Sequence, residues 1–178
     1  VCGGFFLDGI QGGTGAANAV SLEHTGHPLV SKVRECYSAA VKQGRQGQVP
    51  LWAGGGIGMT GQAAADAFQM ICLGANGVFI ARLLIQLCGC VGNENGRCNA
   101  CHTGRCPAGI CTQDPRLTRR LDVDKAAQSI VDYMLAFDSE LRKLLAPVGN
   151  SSLPVGRSDA LVSINKAIAD ELTISYAC

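Results

Sequence analysis

The sequence predicts an α/β fold with a parallel β-sheet, and three observations predict it. Short apolar segments recur along the first half of the chain, glycines follow each of them, and segments with helical spacing of apolar residues separate them. Parallel strands need a long crossover connection, which is usually a helix, so this repeated order is typical of α/β proteins. The chain is 47% hydrophobic and only 16% charged over 178 residues, a composition that can bury a core and excludes a disordered chain.

The elements follow one another in a simple order. The first strand is the apolar run Phe5-Phe6-Leu7, which ends at Asp8 before a Gly-Gly-Thr-Gly loop. The second strand ends in three consecutive glycines, and we expect Thr60 to cap the helix that follows. The predicted strands cover residues 1–8, 49–53 and 75–81, and the predicted helices cover residues 29–42 and 62–73.

Three parallel strands alone would leave both edges of the sheet open and too little of its surface covered. Glycine-rich loops after successive strands fit a (β/α)8 TIM barrel, in which ligands bind at the carboxyl ends of the strands. We therefore predict that residues 1–87 are the last three βα units of such a barrel. The loops at 54–56 and 80–82 are the candidate phosphate site, because glycine lets the backbone approach an anion. A doubly wound fold is the disfavoured alternative, since no G-x-G-x-x-G fingerprint with a downstream acid stands out.

The last part of the chain, residues 116–178, is predicted to be a helical extension of the same domain. Residues 124–145 carry an amphipathic apolar stripe that Pro147 ends, which favours packing in the core or a subunit contact. Residues 150–178 are predicted to be a loop with one short helix at 160–172.

Charge and hydropathy exclude two classes of function. The chain has 15 Lys and Arg against 14 Asp and Glu, a net charge of +1, and a nucleic-acid binder would need clustered excess basic charge. No apolar run approaches the roughly 18 residues of a membrane span. The chain begins at Val1 without a leader, so we expect a cytoplasmic part of a larger, oligomeric complex. One short basic run favours a solvated or salt-bridged face over docking of an acidic electron-donor protein: Arg116, Arg119 and Arg120.

Six of the 10 cysteines lie between Cys88 and Cys111, in a segment that we delimit as residues 88–115. One pair of them, Cys98 and Cys101, is spaced C-x-x-C, and Cys106 follows as a Cys-Pro dipeptide, a pattern that recurs among iron–sulfur ligands. Structural zinc and disulfides remain the alternatives. Four thiolates could hold a cubane cluster, and the candidate ligands are Cys90, Cys98, Cys101 and Cys106.

The other cysteines have simpler expected roles. Cys36 and Cys72 lie on apolar helix faces and are predicted to be buried small hydrophobes. Cys111 is expected to be packed without a ligand role. His102 is a candidate hydrogen-bond donor to a cluster sulfide, although a satisfied structural histidine is the more common case.

Three segments together resemble the FMN-binding barrel of the glutamate synthase large subunit. The segments are GGTGA at residues 12–16, GGGI at 54–57 and CHTGRCPAGICTQDP at 101–115. GRSD at 156–159 is similar to a further motif of that family. The match covers nearly the whole chain, and the cysteine segment is its most specific part.

The resemblance implies an oxidoreductase of the class that acts on CH–NH2 donors, with FMN and an iron–sulfur cluster in one barrel. Electrons would pass through the cluster to FMN, and reduced FMN would reduce the imine formed from 2-oxoglutarate and ammonia. The implied partners are the remainder of the barrel, a glutamine amidotransferase domain that supplies ammonia, and an electron donor, either ferredoxin or an NAD(P)H-oxidising subunit. By position, the resemblance assigns FMN to Gly12, Gly13, Gly54, Gly55, Gly56, Ala81 and Arg82, and the cluster to Cys90, Cys101 and Cys106.

The cysteine spacing departs from the family's usual C-x5-C-x4-C, which holds a 3Fe–4S cluster. Ten residues separate Cys90 from Cys101, and Cys98 lies inside the insertion, so a 4Fe–4S cluster is also credible. The departure keeps two alternatives open, an FMN and iron–sulfur electron-relay subunit of a different complex and a zinc-stapled module without catalysis. An FMN barrel of the 2-hydroxy-acid oxidase kind shares the glycine loops but lacks this cysteine segment. No catalytic acid or base can be named from these residues.

Overall fold

The computed structural model of the chain describes residues 3–15, 17–92, 98 and 100–177. Its strands are β1 (Phe5–Asp8), β2 (Leu51–Gly54), β3 (Gly77–Phe79), β4 (Val162–Ser163) and β5 (Ser175–Tyr176). Its helices are α1 (Ala19–His24), α2 (Leu29–Lys42), α3 (Ala63–Leu73), α4 (Arg82–Leu87), α5 (Pro115–Thr118), α6 (Val123–Leu145) and α7 (Lys166–Leu172). Short 3-10 turns lie at Cys101–Thr103 and Ser158–Ala160.

β1, β2 and β3 form one parallel sheet in their chain order. Phe6 is paired with Trp52, and both Asp8 and Phe79 are paired with Gly54. The connection from β1 to β2 contains α1 and α2, and the connection from β2 to β3 contains α3, so both crossovers are helical. The predicted α/β class with a parallel sheet is therefore confirmed.

The two faces of this sheet differ. Leu51 and Ala53 point to one face, where they are buried in a core with residues of α2 and α3. Side chains alternate along a strand, so Phe6, Trp52 and Phe79 share the opposite face, where they are 52%, 42% and 53% exposed. The ring centroids lie 4.7 Å apart for Phe6–Phe79 and 5.7 Å apart for Trp52–Phe79. Contiguous exposed apolar groups of this kind mark a surface that another element covers.

Helices complete the other side of the molecule. α6 packs on α3 and α4, and its start at Val123 agrees with the helix predicted at 124–145. α7 packs on α2, where Leu172 joins the core and its carbonyl accepts the Nε–H of Arg34 at 2.8 Å. Among the described residues, no helix combines the length and the apolar character that a membrane crossing requires.

The predicted helix at 29–42 is confirmed as α2, but the predicted cap of the next helix is wrong. α3 begins at Ala63, and Thr60 does not cap it. Instead, the Thr60 hydroxyl donates to the Asp66 carboxylate at 3.1 Å, and the same oxygen accepts the N–H of Gly58 at 2.9 Å. The prediction failed because a carboxylate in the first turn of the helix folds the preceding loop back onto itself.

Other boundaries are corrected by side chains that replace the expected backbone partners. β3 is shorter than the predicted 75–81. Before it, the Asn76 side chain accepts the N–H of Leu51 at 2.9 Å, and after it the chain enters α4 at Arg82. In the tail, α7 starts only after Asn165, which accepts the Ile168 N–H at 3.2 Å. The parallel pair of β4 and β5 was not predicted. Residues 1 and 2 of the first predicted strand lie outside the described residues.

Tyr37 on α2 is held in a slot between two glycines, Gly74 and Gly156. A Cβ on either glycine would overlap the tyrosine side chain, and both glycines have left-handed backbones, with φ of +124° and +74°. The N–H of Gly156 also donates to the carbonyl of Ile71 at 3.0 Å. The slot therefore joins α2, α3 and the GRSD segment of the tail.

We expect Gly74→Ala to lower the free energy of unfolding by about 2–5 kcal/mol, because overpacking against Tyr37 adds to left-handed backbone strain. The matched control is Gly44→Ala, since Gly44 has φ +63° but no atom within 4 Å of its Cβ position. This control should lose only about 1–2 kcal/mol. Denaturant unfolding of both variants measures the difference, and equal losses would contradict the slot.

Candidate cofactor site

The glycine-rich loops meet at the carboxyl end of the sheet. Because the three strands are parallel, the segments that follow Asp8, Gly54 and Phe79 leave the sheet at one edge, where ligands bind in open α/β sheets. The N–H of Gly9 donates to the Gly54 carbonyl at 2.8 Å. A Cβ on Gly55, whose φ is +111°, would lie 2.9 Å from the N and O atoms of Gly9. The first two loops are thus in direct backbone contact, and this contact requires glycine at position 55.

The first loop folds back over the sheet. Gly12 lies against the carboxylate of Asp8, which a Cβ at position 12 would overlap. Gln11 has a left-handed backbone with φ +68°, and its Oε1 lies 2.6 Å from where a Cβ on Gly56 would be. A strained non-glycine residue of this kind is typical of a ligand site. Sequence reasoning missed Gln11, because no local pattern distinguishes it from an ordinary loop residue.

Ala81 and Arg82 reach the same edge from the third strand. Ala81 is the N-cap of α4 and Arg82 is its first residue. A Cβ on Gly58 would lie 2.9 Å from Cδ2 of Leu83, so the second loop packs directly on this short helix. The structure therefore gathers the residues predicted to bind a cofactor at one edge: Gly12, Gly13, Gly54, Gly55, Gly56, Ala81 and Arg82.

The cysteine segment touches this edge through the first loop. The Cβ position of Gly15, the last glycine of the Gly-Gly-Thr-Gly loop, lies 3.5 Å from Sγ of Cys101. Two motifs that are more than 80 residues apart in the sequence are therefore neighbours in space, with room between them for little more than a methyl group. Ala16, the last residue of the GGTGA motif, lies outside the described residues.

Cys106 is buried, and its sulfur is surrounded by backbone N–H groups. Burial by itself raises the pKa of this thiol, but N–H groups of the following turn hydrogen-bond to the sulfur and bring its pKa below the usual value. These donors belong to Cys111, Ile110, Ala108 and Gly109. Backbone donors directed at sulfur stabilise a thiolate, and they also tune the potential of iron–sulfur clusters.

Cys101 lies next to three further thiols. The pKa of the Cys101 thiol is raised above its usual value. Burial is the largest cause, and the nearby thiols of Cys111, Cys90 and Cys106 raise it further. We call these four residues the thiol group. Cys98 lies close to it, since the Cβ position of Gly92 is 3.4 Å from Sγ of Cys90 and 3.8 Å from Cβ of Cys98.

The thiol group has the chemistry of a cluster site. All eight cysteines in the described part of the chain are free thiols. Within that part, no three His, Cys, Asp or Glu side chains are close enough to share one metal ion. An iron–sulfur cluster distributes its thiolates over several irons, so soft sulfur donors gathered around the buried Cys106 fit that group by donor type.

The TQDP motif supports the turn that follows Cys106. Thr112 is buried and its hydroxyl accepts the N–H of Asp114 at 3.1 Å. Asp114 in turn caps α5, and Arg120 reaches back to the carbonyl of Pro107 at 3.1 Å. Gly109, with φ +79°, packs directly on the backbone of α5, where a Cβ would overlap a carbonyl oxygen. These contacts hold the N–H groups around the Cys106 sulfur.

The remaining predicted residues lie around this site or away from it. Cys72 is fully buried, as predicted, and burial raises its pKa to about 11. Cys36 is only half-buried and Cys111 is exposed, so the predicted burial of these two cysteines is wrong. His102 is exposed beside Cys101, and its role at a cluster stays a prediction. Arg116 forms an exposed ion pair with Asp114 at 2.8 Å, which agrees with a salt-bridged face for the basic run.

Comparison with known proteins assigns the chain to a family. Residues 3–151 match the conserved region in glutamate synthase. The chain belongs to the glutamate synthase family. The matched range includes every glycine-rich loop at the edge and all four residues of the thiol group.

The chain is similar in sequence to individual glutamate synthases, but it matches only part of the length of each. It is 33% identical over 175 residues to the archaeal glutamate synthase (NADPH) of Methanocaldococcus jannaschii, which covers 96% of this chain and 32% of that protein. It is 31% identical to the archaeal-type enzyme (NADPH) of Thermotoga maritima, covering 83% of this chain and 27% of that protein. It is 32% identical to the large chain of glutamate synthase (NADPH) of Bacillus subtilis, and the match covers 90% of this chain and 10% of that protein. The chain therefore spans about a third or less of these relatives.

Proposed function

We propose that this chain forms the flavin- and cluster-bearing part of a glutamate synthase. The enzyme would make glutamate by reductive amination of 2-oxoglutarate with ammonia derived from glutamine, as an oxidoreductase of the CH–NH2 class. The proximity of Gly15 to Cys101 carries this proposal. It brings the glycine edge and the thiol group close together, and electron transfer between two cofactors needs such proximity.

The glycine edge suits FMN by its chemistry. Gly12, Gly13 and the three glycines at 54–56 add no side chains of their own at this edge, where the Asp8 carboxylate lies against Gly12 and the Gln11 side chain lies against Gly56. Arg82 adds a cationic side chain at the third strand. This combination binds a phosphate monoester, since close backbone approach and positive charge both favour an anion. The FMN held there would deliver hydride to the imine. Gln11 would hold the first loop against Gly56 and so maintain the geometry of the glycine edge.

The thiol group suits an iron–sulfur cluster. Cys90, Cys101 and Cys106 would ligate it, and Cys98 is the fourth ligand that the sequence alone predicts. Donation from the four N–H groups to the Cys106 sulfur would favour the reduced, more negative cluster, because hydrogen bonds to sulfur stabilise added charge. The cluster, either 3Fe–4S or 4Fe–4S, would pass electrons to the flavin.

The exposed aromatic face supports the barrel as the surrounding architecture. Phe6, Trp52 and Phe79 would face the barrel interior once five further strands close the sheet, and both edges of the present sheet would then be paired. We propose that these strands, the glutamine amidotransferase part and the electron donor belong to the remainder of the complex. The electron donor would be ferredoxin or an NAD(P)H-oxidising subunit, and the location would be cytoplasmic.

The complete native enzyme, purified without oxygen, tests this function. We expect flavin bands above a broad iron–sulfur absorption, with FMN, iron and acid-labile sulfide bound and zinc absent. We also expect glutamate to form from 2-oxoglutarate and glutamine with a reduced donor. Cofactors without this turnover would support the electron-relay alternative, and zinc in a colourless protein would support the zinc-stapled module.

A further inference from the structure

Asp8 is the last residue of β1, and it shares the exposed aromatic face of the sheet. Side chains alternate along a strand, so Asp8 lies on the same face as Phe6. Asp8 is paired with Gly54, and Gly54 is paired with Phe79 on its other side. A Cβ on Gly54 would lie 2.8 Å from Cζ of Phe6 and 3.4 Å from Cβ of Phe79. The Phe6 ring therefore covers Gly54, and Asp8 places a carboxylate at the carboxyl edge of an aromatic surface.

The carboxylate of Asp8 is not needed to hold the first loop. The N–H groups of Gly9, Ile10 and Gly12 each donate to a backbone carbonyl, at 2.8, 2.9 and 2.9 Å. Gly12 packs against the carboxylate without donating to it. Among the described residues, the ion pairs all use other carboxylates. The negative charge of Asp8 is therefore available to a ligand at the edge.

The edge carries opposite charges at its two ends. Asp8 ends β1, and Arg82 follows β3 as the first residue of α4, with β2 between them. Two strand spacings, about 10 Å, separate β1 from β3. A second carboxylate, that of Asp66, already accepts the N–H of Gly58 and the hydroxyl of Thr60. Coulomb attraction therefore favours a phosphate at the Arg82 end and a cation at the Asp8 end.

The reaction of the proposed function passes through a cation. Ammonia and the keto group of 2-oxoglutarate take up a proton and lose water to give an iminium, which carries one positive charge. Its carbon receives a hydride, with both electrons supplied by the reduced flavin, and the C=N electron pair moves onto nitrogen. The amine then takes a proton from solvent to give glutamate. A carboxylate beside the nitrogen stabilises the iminium, and aromatic rings also attract a cation.

We propose that Asp8 binds the substrate nitrogen, first in the iminium and then in the ammonium group of the product. The inference rests on the proposed function, and it makes Asp8 a catalytic residue because its carboxylate would touch the reacting C=N group. The rings of Phe6 and Phe79 would border the same site. The charge of Asp8 attracts the ammonium group of glutamate and repels 2-oxoglutarate, which has carboxylates but no cationic group. Asp8 therefore discriminates between these two ligands.

The test compares Asp8→Asn with Asp124→Asn in the complete, FMN-loaded enzyme. L-Glutamate and 2-oxoglutarate are titrated separately, and the change in flavin absorption gives the Kd of each. We expect Asp8→Asn to weaken glutamate binding at least about tenfold, because one charge-assisted hydrogen bond is lost. Binding of 2-oxoglutarate should stay unchanged or become tighter. Asp124, an exposed residue in the first turn of α6, is the control, and its variant should keep both Kd values.

The amount of bound FMN shows whether the variants fold. Asp8→Glu, which keeps the charge, should retain more affinity for glutamate than Asp8→Asn. Equal weakening of both ligands, unchanged glutamate binding, or loss of FMN from Asp8→Asn would each overturn the inference alone, because Asp8 would then support the fold or the cofactor, or contribute nothing. A wild-type enzyme that binds FMN but neither ligand would refute the proposed function together with the inference.

Discussion

The Cys106→Ser enzyme is expected to keep its FMN and to lose nearly all of its iron, to below about a tenth of the wild-type content. Cys106 is buried, and the backbone N–H groups of the turn that follows lower the pKa of its thiol, so we expect the site to be organised around this sulfur. Serine offers a hard oxygen that stays protonated near neutral pH, and it is a poor ligand for iron in a cluster that selects soft donors. Glutamate formation should fall with the iron, because electrons could no longer reach the flavin.

Iron analysis and flavin absorption of the same sample measure both expectations for Cys106→Ser. Cys88→Ser is the matched control, since Cys88 is a half-buried cysteine of the same segment that ends α4. We expect wild-type iron in that control. Unchanged iron in Cys106→Ser would show that the ligand assignment is wrong, and joint loss of iron and FMN would indicate a collapse of the whole site.

The second large effect is expected for Gly55→Ala, which should weaken FMN binding at least roughly tenfold. Alanine at this position would adopt a left-handed backbone, which costs about 1–3 kcal/mol. Its Cβ would also lie 2.9 Å from the backbone of Gly9, and overpacking of that kind costs about 1–3 kcal/mol more. This overlap is relieved when the first two loops move apart, and their separation opens the edge where the phosphate would be held.

Flavin titration of the flavin-depleted enzyme checks the effect of Gly55→Ala. The matched control is Gly61→Ala, because Gly61 follows in the same connection with φ +80° but has no atom within 4 Å of its Cβ position. This control should carry a similar backbone strain without moving either loop, and its affinity for FMN should stay near the wild-type value. Equal weakening in both variants would refute the argument from loop contact.

Much of the fold could be predicted from the sequence, since it depends on local order. The alternation of apolar runs, glycines and helical spacing predicts parallel strands, because such strands need long crossover connections, which are usually helices. The spacing of the apolar residues placed α2 at 29–42, where the structure has it. The cysteine segment predicts a metal site in the same way, because residue types and short spacings carry that signal. The starts of α3 and β3 could not be predicted, because the side chains of Asp66 and Asn76 accept backbone N–H groups of residues distant in the sequence.

Some features of the candidate site could likewise be predicted from the sequence, and others depend on the tertiary structure. The sequence alone determined the α/β class, the glycine-rich loops, the thiol donors and the membership in the glutamate synthase family. Only the tertiary structure decided that Gly15 lies beside Cys101 and that Gln11 lies over Gly56. The physical reason is that these contacts depend on how loops fold back in space, through left-handed residues and side-chain hydrogen bonds. Spacing along the chain does not encode such contacts.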